Sequence, residues 1–559
     1  MRKYVALVLA LCLAACIGSP KEDTTPTLSE TFTGEWSFQK VEDTLKYQKS
    51  IQLTDEFYAA AVRKGGVIVK LNGLTGMDTL RLNGKVAGYF SRENMPRGGF
   101  SSRRYYVPAS LLQKGDNQLD LKVVAFQRGG NRNPGMQGGL RDESTLTIAT
   151  AETADRLAMT YEVADEDFIF LGNDTMTFTA NVANTNPWKV EGNLVVKMIT
   201  DTRDSVCGLT KPILIPAEAS AAETFKMKAP APGFYHFTVQ FVRDSTTLME
   251  ESFNLGYEPE KINSPIDAHE DFTAFWENNL KELAKVNPRY KMTLIPDASN
   301  NDYEMYLVQM QSLNNKTIRG YYAKPKREGK FPVMVEYMGY GSSAYYASTK
   351  WDGFAHYVPS IRGQALNRLT KEDDYWLTIG LKNKEGYYYQ GGFCDVVRAI
   401  DFVCSRPEVD ADKVAVRGGS QGGALSFVAA ALDKRVKVCA PSIPFLSDYR
   451  DYFAIVSWPR SDFDNYAKSH PEFNWEETYQ LLTYFDIKNL APRITCPLIM
   501  SFGVQDPTCP PHINFAAYNQ VKSEKVWVAC PRSGHNTDAN AGALERKFIL
   551  RHLGLSAEK

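Results

Sequence analysis

The sequence predicts a multidomain chain in which two N-terminal β-sandwiches precede an α/β domain with a mostly parallel sheet. Three observations carry this. The 559 residues are 43% hydrophobic and 12% aromatic, enough to fill several buried cores. Over roughly the first 260 positions the chain offers short alternating runs broken by turn residues, with no repeat of propeller-blade length. Beyond them, apolar strands alternate with helical patterns, which calls for a parallel sheet covered on both faces.

Taken in chain order, Arg2 and Lys3 precede an apolar stretch, Tyr4 to Ala15, that is too short to span a bilayer. Leu13-Ala14-Ala15-Cys16 then sets two small residues before a cysteine. This resembles the lipobox of bacterial lipoproteins, which implies a signal peptide over 1–15, acylation of Cys16 and attachment to a membrane through that lipid. Residues 16–29, polar and proline-bearing, read as a flexible tether. Lys21-Glu22-Asp23 resembles the acidic signal of surface-exposed lipoproteins of the Bacteroidota. The expected address is therefore the bacterial cell envelope, as an outer-membrane lipoprotein facing outward.

Residues 30–150 contain Val67-Ile68-Val69, Thr79 to Leu82 before Asn83-Gly84, Arg104 to Val107, and Leu119 to Val124, with turn signals between them and no long segment of helical period. The order of these runs resembles the galactose-binding-like jelly roll found before many glycoside hydrolase barrels. Asn83, Lys85, Tyr106 and Trp36 are read there as framework. Residues 151–260 alternate over five further runs, and Ala231-Pro232-Gly233-Phe234-Tyr235 is the turn into a strand that immunoglobulin-like sandwiches use. In 261–559, Asp271 to Leu283 has helical spacing, Phe331 to Met338 is a nearly continuous apolar strand, and βα units follow to a closing helix over Ala541 to Leu553.

The chemistry concentrates in that last domain. Val414 to Arg417, a strand, runs into Gly418-Gly419-Ser420-Gln421-Gly422 and then a helix. A turn this tight puts Ser420 in a strained backbone region with its hydroxyl projecting, and side chains at Gly418 or Gly422 would collide with the crossing elements. Serine needs a base to take its proton and a carboxylate to orient that base. Of seven histidines, His535 alone follows a late strand in a glycine-bearing loop, with His512 second. Asp506 ends the strand Leu498 to Gly503; Asp448 and Asp486 are less well placed, Asp486 as a brace for sheet edge or lid. The chain order Ser, Asp, His is that of α/β-hydrolases. Oxyanion donors are then expected from the N–H of Gln421 and from Tyr340 in the loop Gly339-Tyr340-Gly341. The aromatic run Tyr337, Tyr340, Tyr345, Tyr346, Trp351, Phe354 and Tyr357 offers walls for an acyl pocket or a sugar face, and in part core.

With these residues placed, 265 to the end resembles carbohydrate esterase family seven, the acetyl xylan esterase and cephalosporin-C deacetylase family of α/β-hydrolases. The matching stretches are FTAFWENNL, PVMVEYMGYG, Arg362-Gly363-Gln364, GYYYQGGFCDVVRAIDF, RPEVDADKVAVRGGSQGGALS, LTYFDIKNLAPRITCPLIMSFGVQDPTCPP, FAAYNQ and GHN at His535. The resemblance implies the same nucleophile Ser420, acid Asp506, base His535 and oxyanion donors Tyr340 and Gln421, with Arg362 and Gln364 holding the loop beside them. It implies hydrolysis of acetyl esters on xylan or related oligosaccharides through an acetyl-enzyme. Ala365 stands where the family's usual glycine does, and Asn536 where a glutamate is common, which bears on pocket shape.

Composition narrows the partners. A formal net charge of -1 with interspersed signs gives no basic stripe for nucleic acid and suits an uncharged glycan. Nine cysteines include no CxxC pair, and seven scattered histidines form no ligand spacing, so no metal and no cofactor is expected. A bridge between Cys394 and Cys404 stays open. Two rival functions remain at this stage: a prolyl-oligopeptidase-like serine peptidase, and a non-enzymatic glycan-binding lipoprotein.

Overall fold

The computed structural model describes residues 21–555 except 34, 42–43, 91–100, 125–138, 141–143, 173 and 369–375. Cys16 and the apolar stretch before it lie outside the described residues.

The first 150 positions form two antiparallel sheets of five strands each. One runs Ser29–Phe32, Leu146–Thr150, Gly66–Thr75, Ser101–Pro108, with Gly139–Leu140 beside Gly66–Thr75; the other runs Ser37–Val41, Thr44–Leu53, Gly115–Val124, Met77–Leu82, Lys85–Phe90. Period-two alternation drives the packing: Leu119, Leu121 and Val123 face inward between exposed or half-exposed neighbours. Their core is a separate apolar cluster reaching from Tyr47 to Ile148. Asn83 takes a left-handed φ of 51° and donates to Leu111 O at 2.9 Å, and Tyr106 donates to Gly65 O, both framework roles. One element departs from expectation. Asp55–Arg63 is a nine-residue helix, N-capped by Thr54 with Asp55 and Glu56 in its first turn and Arg63 in its last.

The stretch expected as a free tether also differs. Glu22 pairs with Arg243 at 2.5 Å, Asp23 with Arg63 at 3.3 Å, and Thr27 donates to Glu152 at 2.6 Å. The acidic side chains find basic partners on both of the N-terminal β units, so 21–28 straps the two together.

The second unit pairs a three-stranded sheet (Leu157–Val163, Thr175–Asn184, Ala219–Lys228) with a five-stranded one ordered Ile169–Phe170, Thr246–Tyr257, Gly233–Arg243, Val190–Thr200, Ser205–Ile215. Tyr235 Oη donates back to Ala231 O at 2.5 Å, pinning the turn that enters its strand. Among the described residues these four sheets form two stacked pairs, with none of the repeated blades of a propeller.

The third unit holds a nine-stranded sheet: β1 (Lys291–Leu294), β2 (Tyr303–Ser312), β3 (Lys316–Pro325), β4 (Phe331–Tyr337), β5 (Ala355–Ser360), β6 (Val409–Gly419), β7 (Val436–Ser442), β8 (Leu498–Gly503) and β9 (Lys525–Cys530), in the spatial order β1-β2-β3-β5-β4-β6-β7-β8-β9. Pairings from β5 through β9 are parallel and those from β1 to β5 antiparallel. Around the sheet lie α1 (Phe272–Lys285), α2 (Tyr388–Cys404) and α3 (Gln421–Leu432). Between β7 and β8 the chain inserts α4 (Tyr449–Ile455), α5 (Arg460–Ser469) and α6 (Trp475–Leu482); α7 (Pro511–Tyr518) and α8 (Ala539–His552) follow β8 and β9. α3 is buried from Gln421 to Ala431, which explains its nearly all-apolar sequence. One continuous apolar cluster joins this unit to the second β unit, with Phe234 against both Phe502 and Phe515.

Cys394 and Cys404 open and close the same stretch of α2, ten residues or about 15 Å apart, beyond the reach of a disulfide. Both are free thiols, as are the other described cysteines.

Candidate active site

β6 delivers Ser420 at its carboxyl end and α3 starts on the next residue. Ser420 has φ 58° and ψ -121°, a conformation L-residues avoid. Neighbouring backbone holds it there: its N–H donates to Ser442 O at 3.0 Å, and Phe445 N–H donates to its carbonyl at 3.2 Å. The approach beneath the turn is equally close. A Cβ on Gly422 would lie 2.0 Å from Tyr337 O, so any side chain there would drive α3 away from β4.

Asp506 lies just beyond β8 with its side chain fully buried. Its Oδ1 accepts the N–H groups of Thr508 at 2.8 Å and Cys509 at 3.0 Å, which fixes the carboxylate plane. Oδ2 lies 2.8 Å from His535 Nδ1 in the loop after β9. The histidine keeps 31% of its side-chain surface exposed. Gly503 permits the meeting: a Cβ there would lie 2.0 Å from Gly534 O, so only glycine lets the histidine loop cross the end of β8. Ser420 Oγ points to Cys509 Sγ at 3.9 Å, and no hydrogen bond joins it to His535 in this rotamer. Such bonds are often loose before substrate arrives. Burial pushes the Cys509 thiol well above its ordinary pKa, so it stands protonated beside the serine and is no rival nucleophile.

The opposite wall is built by paired amides. Gln364 Nε2 donates to Gln421 Oε1 at 2.9 Å and Gln421 Nε2 donates to Gln364 Oε1 at 3.0 Å. Gln421 Oε1 also accepts from Tyr389 Oη at 2.9 Å, while Gly341 N–H donates to Gln364 Oε1 at 3.4 Å. Gln364 thus ties the loop of Tyr340 to the start of α3, whose leading N–H groups have no intrahelical acceptor. Arg362 anchors this arrangement through a two-pronged pair with buried Asp395, Nε to Oδ2 at 2.9 Å and Nη2 to Oδ1 at 2.7 Å.

The aromatic run divides sharply. Tyr337, Trp351, Phe354 and Tyr357 are core, Tyr345 bonds Glu336 and Tyr346 packs on Tyr321. Tyr340 alone turns to the site, against Trp376, Trp458 and Phe445 with centroids at 5.0, 5.6 and 6.1 Å. Those three partners come from distant loops, which is why spacing did not single them out.

The runner-up residues serve elsewhere. His512 has both ring nitrogens on carboxylates, Nδ1 to Asp201 at 2.7 Å and Nε2 to Asp451 at 3.1 Å. Burial opposes its charge, but these two bonds outweigh it and hold the ring pKa up to about 10. Asp448 accepts from Ser264 and faces Lys488 Nζ at 3.4 Å. Ligand atoms of Asp448, Asp451 and His512 come within 4.8 Å of one another, yet Lys488 and the His512 ring already supply their positive charge. Asp486 caps the N–H of Lys488 at 2.8 Å, and burial pushes its carboxyl up to about 8.

Comparison with known proteins places the chain among esterases. Residues 257–551 match the family model for acetyl xylan esterase (AXE1). The chain is 32% identical over 323 residues to the acetyl esterase Axe7A of Xylanibacter ruminicola, covering 54% of this chain and 71% of that one. A solved acetyl xylan esterase from Paenibacillus sp. R4 superposes with a TM-score of 0.50 at 32% identity, over 53% of this chain and 98% of that one. Acetyl xylan esterase 1 from Thermoanaerobacterium sp. JW/SL YS485 aligns at 29% identity and TM-score 0.48, covering 53% and 97%.

Proposed function

The chain belongs to the acetyl xylan esterase family, and from that premise we propose that it removes O-acetyl groups from xylan or related oligosaccharides as a serine carboxylesterase. The observation that carries the reading is the 2.8 Å contact of Asp506 with His535 at strand ends beside Ser420 on its strained turn. Ser420 Oγ attacks the acetyl carbonyl as His535 Nε2 takes its proton, and Asp506 keeps the other ring nitrogen protonated and aimed. The N–H groups of Gln421 and Tyr340 receive the oxyanion. Collapse expels the sugar hydroxyl, which regains the proton from His535, and water then releases acetate from the acetyl-enzyme by the same route reversed. Half-buried Tyr340 and Trp458, backed by buried Trp376, supply apolar faces suited to an acetyl methyl or a sugar ring.

The remainder of the proposal concerns address and scaffold. Residues 30–150 act as a galactose-binding-like jelly roll and 151–260 as an immunoglobulin-like sandwich, both bracing the hydrolase domain. Lipidation at Cys16 anchors the chain in the outer membrane, where acetylated oligomers are met. An acetate-release screen over acetylated xylan, acetylated xylo-oligomers, glucose pentaacetate and cephalosporin C tests the substrate class. Turnover is expected to be highest on the xylan-derived esters; hydrolysis confined to small non-sugar esters would contradict it.

A further inference from the structure

We infer that Gln505 is a positioning residue through which the second sandwich holds the Asp506 and His535 loops in register, an inference that rests on the triad reading above. Asn254 lies on Thr246–Tyr257, which pairs with Gly233–Arg243 on one side and, on the other, meets Ile169–Phe170 only at Gly256 and Tyr257. At position 254 the outer edge of that strand is therefore open to the hydrolase domain. The Gln505 side chain fills it as a missing peptide group would: Oε1 accepts the N–H of Asn254 at 2.7 Å and Nε2 donates to Asn254 O at 3.0 Å. The second hydrogen of Nε2 goes to Pro531 O at 2.9 Å, in the histidine loop. Gln505 N–H donates to Ser533 O at 3.0 Å, and Asn254 Nδ2 donates to Val504 O at 3.2 Å.

One buried carboxamide thus joins a sandwich strand, the residue before the acid and the loop that carries the base. Its polar atoms are all engaged, so truncation would leave three backbone groups on two segments, Asn254 N–H and O and Pro531 O, unsatisfied. Further contacts close around the same loops: the Arg532 guanidinium lies over Tyr161 at 5.1 Å and Phe168 at 5.3 Å. Displacement of either loop acts directly on the Asp506–His535 contact, where small errors in geometry are large in rate.

The test uses the full-length protein with Gln505→Ala, and Gln505→Glu, which keeps the acceptor for Asn254 N–H and loses both donors. Ser252→Ala, exposed on the same strand and outside the clasp, is the control. A portion of each is labelled with a fluorophosphonate to count competent Ser420, and kcat per labelled site and KM are measured on the unlabelled remainder with p-nitrophenyl acetate. The expected result for both Gln505 variants is full labelling of Ser420, kcat lower by about tenfold or more and KM within about twofold, with Ser252→Ala close to wild type. A Gln505→Ala protein with wild-type kcat per labelled site would overturn the positioning role, even if its melting temperature fell. If that variant does not fold, Gln505→Met, close in volume, carries the same two outcomes. Absence of label on Ser420 in the wild type would instead remove the triad reading, and the positioning role with it.

Discussion

Ser420 stores strain at the point where the chemistry is proposed, with φ 58° held by hydrogen bonds to Ser442 and Phe445. Non-glycine residues in such conformations cost about 1–3 kcal/mol. Ser420→Ala and Ser420→Gly should both lose nearly all esterase activity, but only glycine relieves the backbone. The glycine variant is therefore expected to be more stable than the alanine variant by about 1–2 kcal/mol, measured by thermal unfolding; equal melting temperatures would refute stored strain. At this scale the sequence was informative wherever a residue type is chemically irreplaceable. Gly-x-Ser-x-Gly, an aspartate ending a strand and a histidine after glycine are legible because each requires its neighbours. Cys509 and Gln505 were not legible, since their roles depend on Ser420 and Asn254, residues far away in the chain.

Elements were legible in proportion to how much their burial pattern resembles their period. β4, and β6 over Val414 to Val416, show as apolar runs because parallel strands are covered on both faces. β5 was not among the expected strands: His356 and Pro359 interrupt its short run, although all six of its residues are buried. It forms because His356 Nε2 reaches Glu336 at 3.2 Å and Tyr357 fills the core. The helix Asp55–Arg63 was missed for the opposite reason, being too short for periodicity to outweigh the strands around it. The loop Arg362 to Gln364 yields a prediction. Lysine cannot reproduce the two-pronged contact with Asp395, so Arg362→Lys should loosen the Gln364–Gln421 pair and lower kcat by about tenfold, an effect on the order of 1.4 kcal/mol in transition-state stabilisation. Unchanged kcat on an acetyl ester would show that the oxyanion side needs no such anchor.

Across the described residues, the hydrolase domain and the second β unit share one apolar cluster, while the first β unit keeps its own. Two domains were readable as separate textures of sequence; their fusion into one body was not, because it depends on single residues such as His512. With a folded-state pKa of about 10 and an ordinary value of 6.5, that imidazolium contributes stability in full below about pH 6.5 and loses it as pH rises toward 10. His512→Gln should remove this slope, worth up to about 1.4 kcal/mol per pH unit, so the stability gap between wild type and variant should narrow from pH 7 to 10; a constant gap would contradict the assignment. Anchoring is tested separately: Cys16→Ala should leave acetate release intact and move the protein from the membrane pellet to the soluble fraction. The central claim is that Ser420 carries the acetyl group between donor and water. Acid-quenching the enzyme during turnover of acetylated xylo-oligomers, then sequencing its peptides by mass spectrometry, tests that most directly. The expected result is one acetyl group on the peptide at Ser420, absent when Asp506 or Ser420 is replaced; acetyl on another residue, or undiminished turnover in Ser420→Ala, would contradict it.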